Sequence, residues 1–328
     1  MAVLKMTEPM SESPNIYLDD PDPLSVLLNR MALNAEVYVN GDFCGTWAVD
    51  TAGSRRIPFH LIGEGEAWLH FEKEAPQSLQ AKDLVLFPRD AHHIISHSSE
   101  RPPKHQVNTP MSNDGATTQM VCGFFEFRSA LVFPLLDALP EVILLSAHSS
   151  GQVQRVQWLV DMMLMELEEA KPGSYAVVDQ LAYLLFVEIL RQQVDSGTLA
   201  NGLLVALFDA RIGRALSAIH QNPEHDWSLA SLADKAAMSR SSFADRFNRV
   251  AGLSPMKYLT LWRMAEARRL LTTTDLSTAQ IAERSGYESE AAFRKAFKNT
   301  QGVTPGAVRN VARGELTETE KASPSGEA

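Results

Sequence analysis

One block of sequence occurs twice in the last third of this chain, at 229–255 and at 278–305, and it constrains the fold more than any other feature. Each copy carries two phenylalanines, a glycine and a proline at the same internal spacings of 4, 9 and 12 residues. The matched positions are Phe243, Phe247, Gly252 and Pro255, then Phe293, Phe297, Gly302 and Pro305. This duplication predicts one short supersecondary unit that is built twice.

Each copy predicts two helices joined by a tight turn. Phenylalanines four residues apart lie on one face of a helix, so they pin the second helix to the first. Ser239 and Ser289 stand where a side chain caps that second helix, and Gly286 stands where the preceding helix ends. The opposite face of the second helix is left free. This is the helix-turn-helix arrangement, in which the second helix is available for a DNA major groove.

The residues that we expect to contact DNA lie on or beside those free faces. They are Arg240, Ser241, Ala244, Asp245, Arg246 and Asn248 in the first copy, and Glu290, Ala291, Arg294, Lys295 and Lys298 in the second. A single predicted helix, PMKYLTLWRMAEARRLLTTTD, joins the two copies and would fix the distance between their second helices. Successive major grooves on one face of DNA are about 34 Å apart, so a fixed pair could enter both.

The charge of the chain is segregated in a way that supports this prediction. The whole sequence has a net charge of -10. The stretch from Arg211 to Arg313 nevertheless holds 16 lysines and arginines against 9 aspartates and glutamates, a net charge of +7, which leaves -17 for the rest. A basic third beside an acidic body indicates a separate module that binds a polyanion.

From about 210 to 311 the chain resembles the AraC/XylS transcription regulators. The closing G-x-[ST]-P of each copy and the block GYESEAAFRKAFK carry the resemblance. It implies that the second helix of each copy reads bases of double-stranded DNA. It also makes a homodimer the expected state and RNA polymerase a possible partner. Two cysteines do not make a disulfide framework, so a cytoplasmic protein with reduced thiols is expected. Because Ser241, Ala244 and Ala291 are too short to reach many base edges, we expect direct readout to depend on Arg240 and Arg294, with phosphate contacts and DNA shape supplying the rest.

The first two thirds of the chain predict a β domain followed by a helical hairpin. Short apolar runs broken by turn residues predict strands from about 35 to 127, in a sandwich or small barrel. Apolar residues at helical spacing then predict an antiparallel helix pair, whose broad apolar surface could pack on the β domain or pair with a second subunit. No apolar run is long enough to span a membrane.

The expected fold class is therefore an α+β protein of several domains. We expect a disordered leader at 1–14 and a β-barrel sensor domain at 15–150. A helical hairpin and linker at 151–202 would join it to an all-α DNA-binding domain with two helix-turn-helix motifs at 203–314. A disordered acidic tail would follow at 315–328.

The β domain resembles the cupin-type sensor of one branch of these regulators. Four stretches carry the resemblance: CGTWAVD, IPFHLIGEGEAWLHF, LQAKDLVLFPRDAHHIISHS and VCGFFEF. Metal-binding cupins carry three histidines and a glutamate in these motifs. Here only His60 and His93 stand at motif positions, near Glu64, Glu66 and His92. We therefore predict no enzyme activity and assign no cofactor. The alternative is a metal-dependent cupin enzyme fused to a helical DNA-binding or interaction module.

Three modes of sensing stay open for this domain. Cys44 and Cys122 match positions where related sensors carry cysteine, including one that responds to reactive chlorine, so they could be oxidised to a sulfenic acid or a disulfide. They could equally be small buried apolar residues, since no lysine or arginine lies close to either in sequence. His60 and His93 could hold a metal together with Cys44. The third mode is a small-molecule pocket lined by aromatic residues: Trp47, Phe59, Trp68 and Phe71.

Overall fold

The computed structural model describes residues 22–31, 33–54, 56–108, 116–127, 135–146 and 154–313. The predicted leader at 1–14 and tail at 315–328 lie outside these ranges. The first element in these ranges is helix α1 (Pro23–Met31), which the sequence did not predict. The strands described after it are β1 (Leu33–Cys44), β2 (Ala48–Val49), β3 (Ile57–Glu64), β4 (Glu66–His70), β5 (Gln77–Gln80), β6 (Leu84–Leu86), β7 (Ile94–Ser96), β8 (Thr117–Phe127) and β9 (Ile143–Leu145).

The strands form two antiparallel sheets. The larger has the order β1-β8-β3-β6-β9 and the smaller has the order β2-β7-β4-β5. The longest pairing joins β1 to β8, with Val39 opposite Cys122 and Cys44 opposite Thr117. Strand β3 lies on the other side of β8, and His60 is opposite Cys122. The predicted β domain is thus confirmed, and the pairing of β3 with β8 brings His60 and Cys122 side by side.

Alternation along the strands divides the larger sheet into two buried faces. Ile62, Val85 and Cys122 belong to a core between the two sheets. Their neighbours Leu61 and Val121 belong to a second core on the opposite face. A sheet that is buried on both faces carries apolar residues at nearly every position, which explains why all but the last residue of β3 are buried.

A helical hairpin covers the outer face of the larger sheet. Its helices are α2 (Gln154–Glu169) and α3 (Ser174–Asp195), and Gly173 makes the turn between them with a φ of 96°. Phe186 of α3 packs against Phe125 and Phe127 of β8, with ring centroids 4.9 Å and 5.5 Å apart. The predicted hairpin therefore packs on the β domain with one face and leaves another exposed.

The remainder of the described chain is helical. Its helices are α4 (Leu203–Phe208), α5 (Ile212–Gln221), α6 (Leu229–Lys235), α7 (Arg240–Ala251), α8 (Pro255–Thr273), α9 (Thr278–Arg284), α10 (Glu290–Gln301) and α11 (Pro305–Ala312). Pairs α6–α7 and α9–α10 are the two duplicated units, and α8 is the single helix between them. No helix in the described ranges is long and apolar enough to cross a membrane.

The helix ends follow the predicted chemistry. Ser239 and Ser289 accept hydrogen bonds from backbone N–H groups at the starts of α7 and α10. Ser254 and Thr304 do the same for the helices that begin with the repeated proline. Gly286 follows α9 with a φ of 71°, a backbone conformation that residues other than glycine adopt only at a cost in free energy.

The two duplicated units are buried in different ways. One continuous apolar core runs from α1 and the larger sheet, through the hairpin, into α4–α7 and the first half of α8. The second unit has a core of its own, built from residues between Met264 and Val308. The first unit therefore shares its core with the β domain, whereas the second unit is joined to the first through α8.

Candidate nucleic-acid interface

Helices α7 and α10 are each pinned by the predicted pair of phenylalanines. Phe243, Phe247, Phe293 and Phe297 are all fully buried. The two rings within each helix lie 5.6 Å and 5.7 Å apart between centroids. Because phenylalanines four residues apart occupy one face, the opposite face of each helix is turned outward.

Most of the predicted contact residues are exposed, and Arg240 and Glu290 stand at the first position of each helix. Arg240, Ser241, Asp245 and Asn248 are exposed on α7, and Ala244 is half-buried. On α10, Ala291, Arg294, Lys295 and Lys298 are exposed and Glu290 is half-buried. Among these residues α10 carries three cations and the carboxylate of Glu290, whereas α7 carries Arg240 and the carboxylate of Asp245. An electrostatic attraction to phosphate is accordingly stronger at α10.

Two of the predicted arginines are already paired. Arg246 donates from Nη2 to Oδ2 of Asp209 at 2.6 Å and so ties α7 to the turn between α4 and α5. Burial works to raise the pKa of Asp209, but the hydrogen bonds from Arg246 and from backbone N–H groups outweigh it and hold that pKa low. The structure thus places Arg246 in a structural ion pair rather than on the free face of the helix. That pairing was not predicted.

Arg294 is held along its own helix. Its Nε and Nη2 donate to Oε1 of Glu290, one turn earlier, at 2.7 Å and 2.5 Å. Both side chains stay on the outward face, so the guanidinium is oriented before any ligand arrives. Within the described ranges no ion pair involves Arg240, Lys295 or Lys298.

A residue that the sequence did not single out fixes the two units relative to each other. Arg263 of α8 donates from Nε to the carbonyl of Pro223 at 2.6 Å and from Nη2 to that of His225 at 2.9 Å. Both carbonyls belong to the loop that enters the first unit. On its other side, Arg263 lies against the turn of the second unit, where a Cβ at Gly286 would come within 2.6 Å of Nη2. The spacing of the two units therefore depends on Arg263.

The predicted sensor residues come together in part. His60 Nε2, His93 Nε2 and Thr51 Oγ1 form a triangle in which each pair of atoms is 3.1 Å apart. His60 Nδ1 lies 2.9 Å from Cys122 Sγ, and His93 Nδ1 lies 2.7 Å from the carbonyl of Ala91. His60, His93 and Cys122 are buried, and the ring of His93 stacks on Phe87 at 3.5 Å.

The carbonyl of Ala91 can only accept a hydrogen bond, which assigns the tautomer of His93. His93 donates from Nδ1, so its Nε2 accepts, either from His60 Nε2–H or from the hydroxyl of Thr51. The other ring nitrogen of His60 is hydrogen-bonded to the thiol of Cys122. Burial lowers the pKa of His60, and the neighbouring His93 adds to the effect. Burial also lowers the pKa of His93 and raises that of the Cys122 thiol, so all three groups are neutral.

This residue set does not fit the metal site of a cupin. The third corner of the triangle is a threonine hydroxyl, where the metal site of a cupin has a third histidine or a carboxylate. Glu64 and Glu66 are exposed at the strand ends. Within the described ranges no three His, Cys, Asp or Glu side chains are grouped to hold one ion.

Cys44 lies far from this cluster. Its Sγ is 3.5 Å from Oγ1 of Thr117, at the other end of the β1–β8 ladder from Cys122. Five residues separate Cys44 from Val39, the partner of Cys122, which corresponds to roughly 16 Å along an extended strand. A disulfide needs Cα atoms about 4.4–6.8 Å apart. The predicted alternative of an intramolecular disulfide is therefore incompatible with this fold.

The aromatic residues proposed for a pocket also lie apart. Trp47 is in the core between the sheets, and Phe71 packs at its edge. Phe59 instead belongs to the core on the helical side of the larger sheet. Alternation along β3 explains the difference, because Phe59 and its neighbour His60 point to opposite faces. Phe59 therefore does not share a cavity with Trp47 and Phe71.

A β domain joined through helices to two helix-turn-helix units defines a one-component transcription regulator. Comparisons with known proteins agree. A cupin family model matches residues 22–195, and a helix-turn-helix family model matches residues 232–310. An HTH-type transcriptional regulator of Haemophilus influenzae is 31% identical over 299 residues, which cover 88% of this chain and 98% of the relative.

Other relatives agree. The HTH-type transcriptional regulator AlkR of Acinetobacter baylyi is 31% identical over 87% of this chain and 97% of its own length. An AraC-like transcription regulator of Streptomyces lividans is 30% identical over 88% and 96%. The DNA-binding domain of AdpA, solved with a target DNA, is 31% identical over 32% of this chain and 94% of its own, with a TM-score of 0.30. The chain belongs to the AraC-type transcription regulators that carry an N-terminal cupin domain, and its helix-turn-helix region binds double-stranded DNA.

Proposed function

We propose that α7 and α10 enter two successive major grooves and that Arg240 and Arg294 read bases there. The observation that carries this proposal is the pinning of both helices by fully buried phenylalanines, which turns the opposite faces outward. Arg263 and α8 hold the two helices at a fixed separation. Bidentate contact between an arginine and guanine is the commonest specific contact in the major groove.

The other outward residues take supporting roles in this proposal. Lys295 and Lys298 contact phosphate, and Glu290 orients Arg294 through the ion pair along the helix. Asp245 faces a cytosine amine or the rim of the groove. Arg246 acts at a distance by fixing α7 on Asp209. The short side chains, Ser241, Ala244 and Ala291, let the helices approach DNA closely and leave sequence preference there to DNA shape.

The test uses duplexes that the full-length protein selects from a random library. Replacing both Arg240 and Arg294 with alanine should relax preference at the contacted bases, by about 1–3 kcal/mol for each lost bidentate contact. Lys298→Ala is the matched control, because loss of a phosphate contact weakens binding to all sequences alike and lowers the salt dependence. A double variant with unchanged base preference would remove the base-reading assignment.

We further propose that the cupin domain senses a non-covalent effector and has no catalytic activity. The Cys122 thiol and both imidazoles are shut away from solvent and hydrogen-bonded to each other. A neutral, buried thiol is a poor nucleophile and a poor target for oxidants, which react with thiolates. The predicted sensor residues Cys122, His60 and His93 then form the buried polar centre that an effector perturbs.

A thermal-shift screen of the full-length protein with metals, oxidants and small metabolites tests this part. We expect a metabolite to raise the unfolding temperature, and we expect oxidants to act equally on wild type and Cys122→Ser. An oxidant that changes DNA binding only while Cys122 is present would establish the thiol switch instead.

We also propose that the protein acts as a homodimer in the cytoplasm, with the hairpin as the contact. Trp158, Met162 and Met165 of α2 and Leu184 of α3 are 58%, 48%, 54% and 48% exposed, which is unusual for side chains of this size. A groove of about 530 Å³ lies among them. In sedimentation experiments Met162→Glu should shift the protein towards a monomer, whereas Val311→Glu on α11 should not. Contact with RNA polymerase stays a prediction.

A further inference from the structure

Helix α8 passes from one apolar core into the other. Tyr258, Leu259 and Trp262 belong to the core that is shared with the sensor. Met264 and Ala267 belong to the separate core of the second unit. The direction in which α8 leaves the first core therefore sets where the second unit, and with it α10, is placed.

Glu266 stands at this changeover and is held from both sides. Arg269, one turn later on α8, donates from Nη2 to Oε1 at 2.7 Å and from Nε to Oε2 at 3.0 Å. Arg30 of α1 forms an ion pair with the same Oε2 across a sequence separation of 236 residues. The Glu266 side chain is only 14% exposed, so this pair is better shielded from solvent than a surface salt bridge.

Arg30 is presented by a rigid part of the sensor. Leu24, Leu27 and Leu28 of α1 are buried in the shared core, where α1 packs against α4 and α5. Burial works to raise the pKa of Glu266, but hydrogen bonds from Arg269 and Arg30 outweigh it and hold that pKa low. The carboxylate is therefore charged at neutral pH and stays bound to both arginines.

The second unit depends on α8 for its placement. Among the described residues, those that form its core all lie between 264 and 308. Arg263 holds the turn of this unit against the loop of the first. Arg30 makes the second contact that holds α8. It binds Glu266, three residues after Arg263 on that helix, and unlike Arg263 it belongs to the sensor domain.

We propose that Arg30 is a positioning residue for DNA recognition, because through Glu266 it sets the angle at which α8 carries α10 away from α7. This rests on the assignment of α7 and α10 as the two reading helices. The sensor then takes part in recognition without touching DNA. A change in the pose of α1 alters which spacing of the two half-elements the protein accepts, while the bases preferred within each half-element stay the same.

The experiment uses the full-length chain and a duplex that the wild type selects from a random library. One to three base pairs are inserted between the two half-elements, and binding is measured for each duplex. A single inserted pair should weaken wild-type binding by at least about fivefold, the loss typical of one mismatched position. Arg30→Gln should reduce that penalty to less than about twofold, and Arg30→Lys, which keeps the charge, should restore it.

Two further variants make the result decisive. Glu266→Gln removes the same ion pair from the other side and should give the same flattened spacing profile, so it decides the matter if Arg30→Gln folds poorly. Asp161→Asn is the matched control, because it breaks the Lys82–Asp161 pair between barrel and hairpin, and it should keep the wild-type profile.

A folded Arg30→Gln or Glu266→Gln protein with the wild-type spacing profile would overturn the proposal. Failure of the reading-helix assignment is distinguishable, because it shows in the base preference of the Arg240→Ala, Arg294→Ala double variant and not in the spacing series. A double variant with unchanged base preference would mean that Arg30 does not act by placing a reading helix. That result would also overturn the proposal.

Discussion

The two helix-turn-helix units are alike in sequence and unlike in their surroundings. Both have a capped second helix pinned by two buried phenylalanines. The first unit shares one core with the cupin domain and the hairpin, whereas the second is closed around its own smaller core. A duplicated motif can therefore keep its local geometry while its two copies differ in stability and in coupling to the sensor.

The second helices of the two units, α7 and α10, also differ in the charge that they leave exposed. In the first unit Arg246 is used to fix α7 on Asp209. In the second unit Arg294, Lys295 and Lys298 all stay on the outward face. The unit that is joined firmly to the sensor thus offers less charge to DNA, and the loosely joined unit offers more. Binding energy from the second unit consequently depends on how well α8 positions it.

The largest expected effect comes from removing one buried ring from each of the two cores, in separate variants. Phe247→Ala and Phe297→Ala each remove a fully buried ring, at a cost of about 3–5 kcal/mol. Because the first core is continuous, Phe247→Ala should lower the unfolding transition of the sensor and the first unit together. Phe297→Ala should instead open the second unit alone, so that hydrogen exchange rises in α9–α11 and stays at the wild-type level elsewhere.

Equal loss of protection throughout the chain in both variants would contradict the comparison, since it would mean that the two cores unfold as one. Leu79→Ala is a suitable control. Leu79 is fully buried in the core between the two sheets, so its replacement should leave the exchange of α9–α11 unchanged.

An effect of intermediate size is expected from pH. His220 of α5, which packs beside the first unit, is buried, stacks on Trp262 at 3.7 Å and lies 2.5 Å from the hydroxyl of Tyr258. Burial, together with the charge of Arg30, lowers the pKa of His220 from 6.5 to about 3. Between these values the unfolded chain binds the proton more tightly, so stability falls as the pH falls. The slope is about 1.4 kcal/mol for each pH unit.

No histidine follows His225 in the chain, so the second unit lacks this titration. Denaturant melts of the full-length protein between pH 6.5 and pH 4 measure the slope. His220→Phe keeps the ring stack and should be less stable at pH 7. The slope of its free energy of unfolding against pH should be smaller than that of the wild type by about 1.4 kcal/mol per pH unit. If the variant keeps the wild-type slope, the dependence comes from other groups such as His60.

The smallest effect should separate local from global stability. Ser239→Ala and Ser289→Ala each remove one helix cap, at a cost of about 1 kcal/mol. The local costs are alike because the caps are alike. Exchange at the start of α10 should nevertheless rise more than at the start of α7, because α7 is also fixed by Asp209 and by the shared core. Equal increases would show that the surroundings do not matter at this level.

Much of the fold could be predicted from local patterns. The duplicated spacing of phenylalanine, glycine and proline, the serine caps and the change from strand to helix periodicity each depend on residues close together in sequence. The confirmed α+β class and the two helix-turn-helix units follow from them. Helix α1 was missed, because its amphipathic stretch is short and its apolar residues are explained only by the core that they enter.

Most of the contacts at the candidate site could not be predicted in this way. Arg246 and Asp209 are 37 residues apart, and Arg30 and Glu266 are 236 apart. Sequence patterns also left open whether Cys44 and Cys122 meet, and the register of the β1–β8 ladder keeps them apart. His60 and Cys122 were candidates separately, and only the pairing of β3 with β8 brings them together.

The sequence by itself determined the class of protein, the two helix-turn-helix units and the ends of their helices, since caps, turns and amphipathic faces depend on neighbours within a few residues. The tertiary structure alone decided which charges stay free, how the polar groups inside the cupin domain are paired, and that only one of the two units shares a core with the sensor. Those outcomes depend on packing between distant segments, which local patterns do not encode.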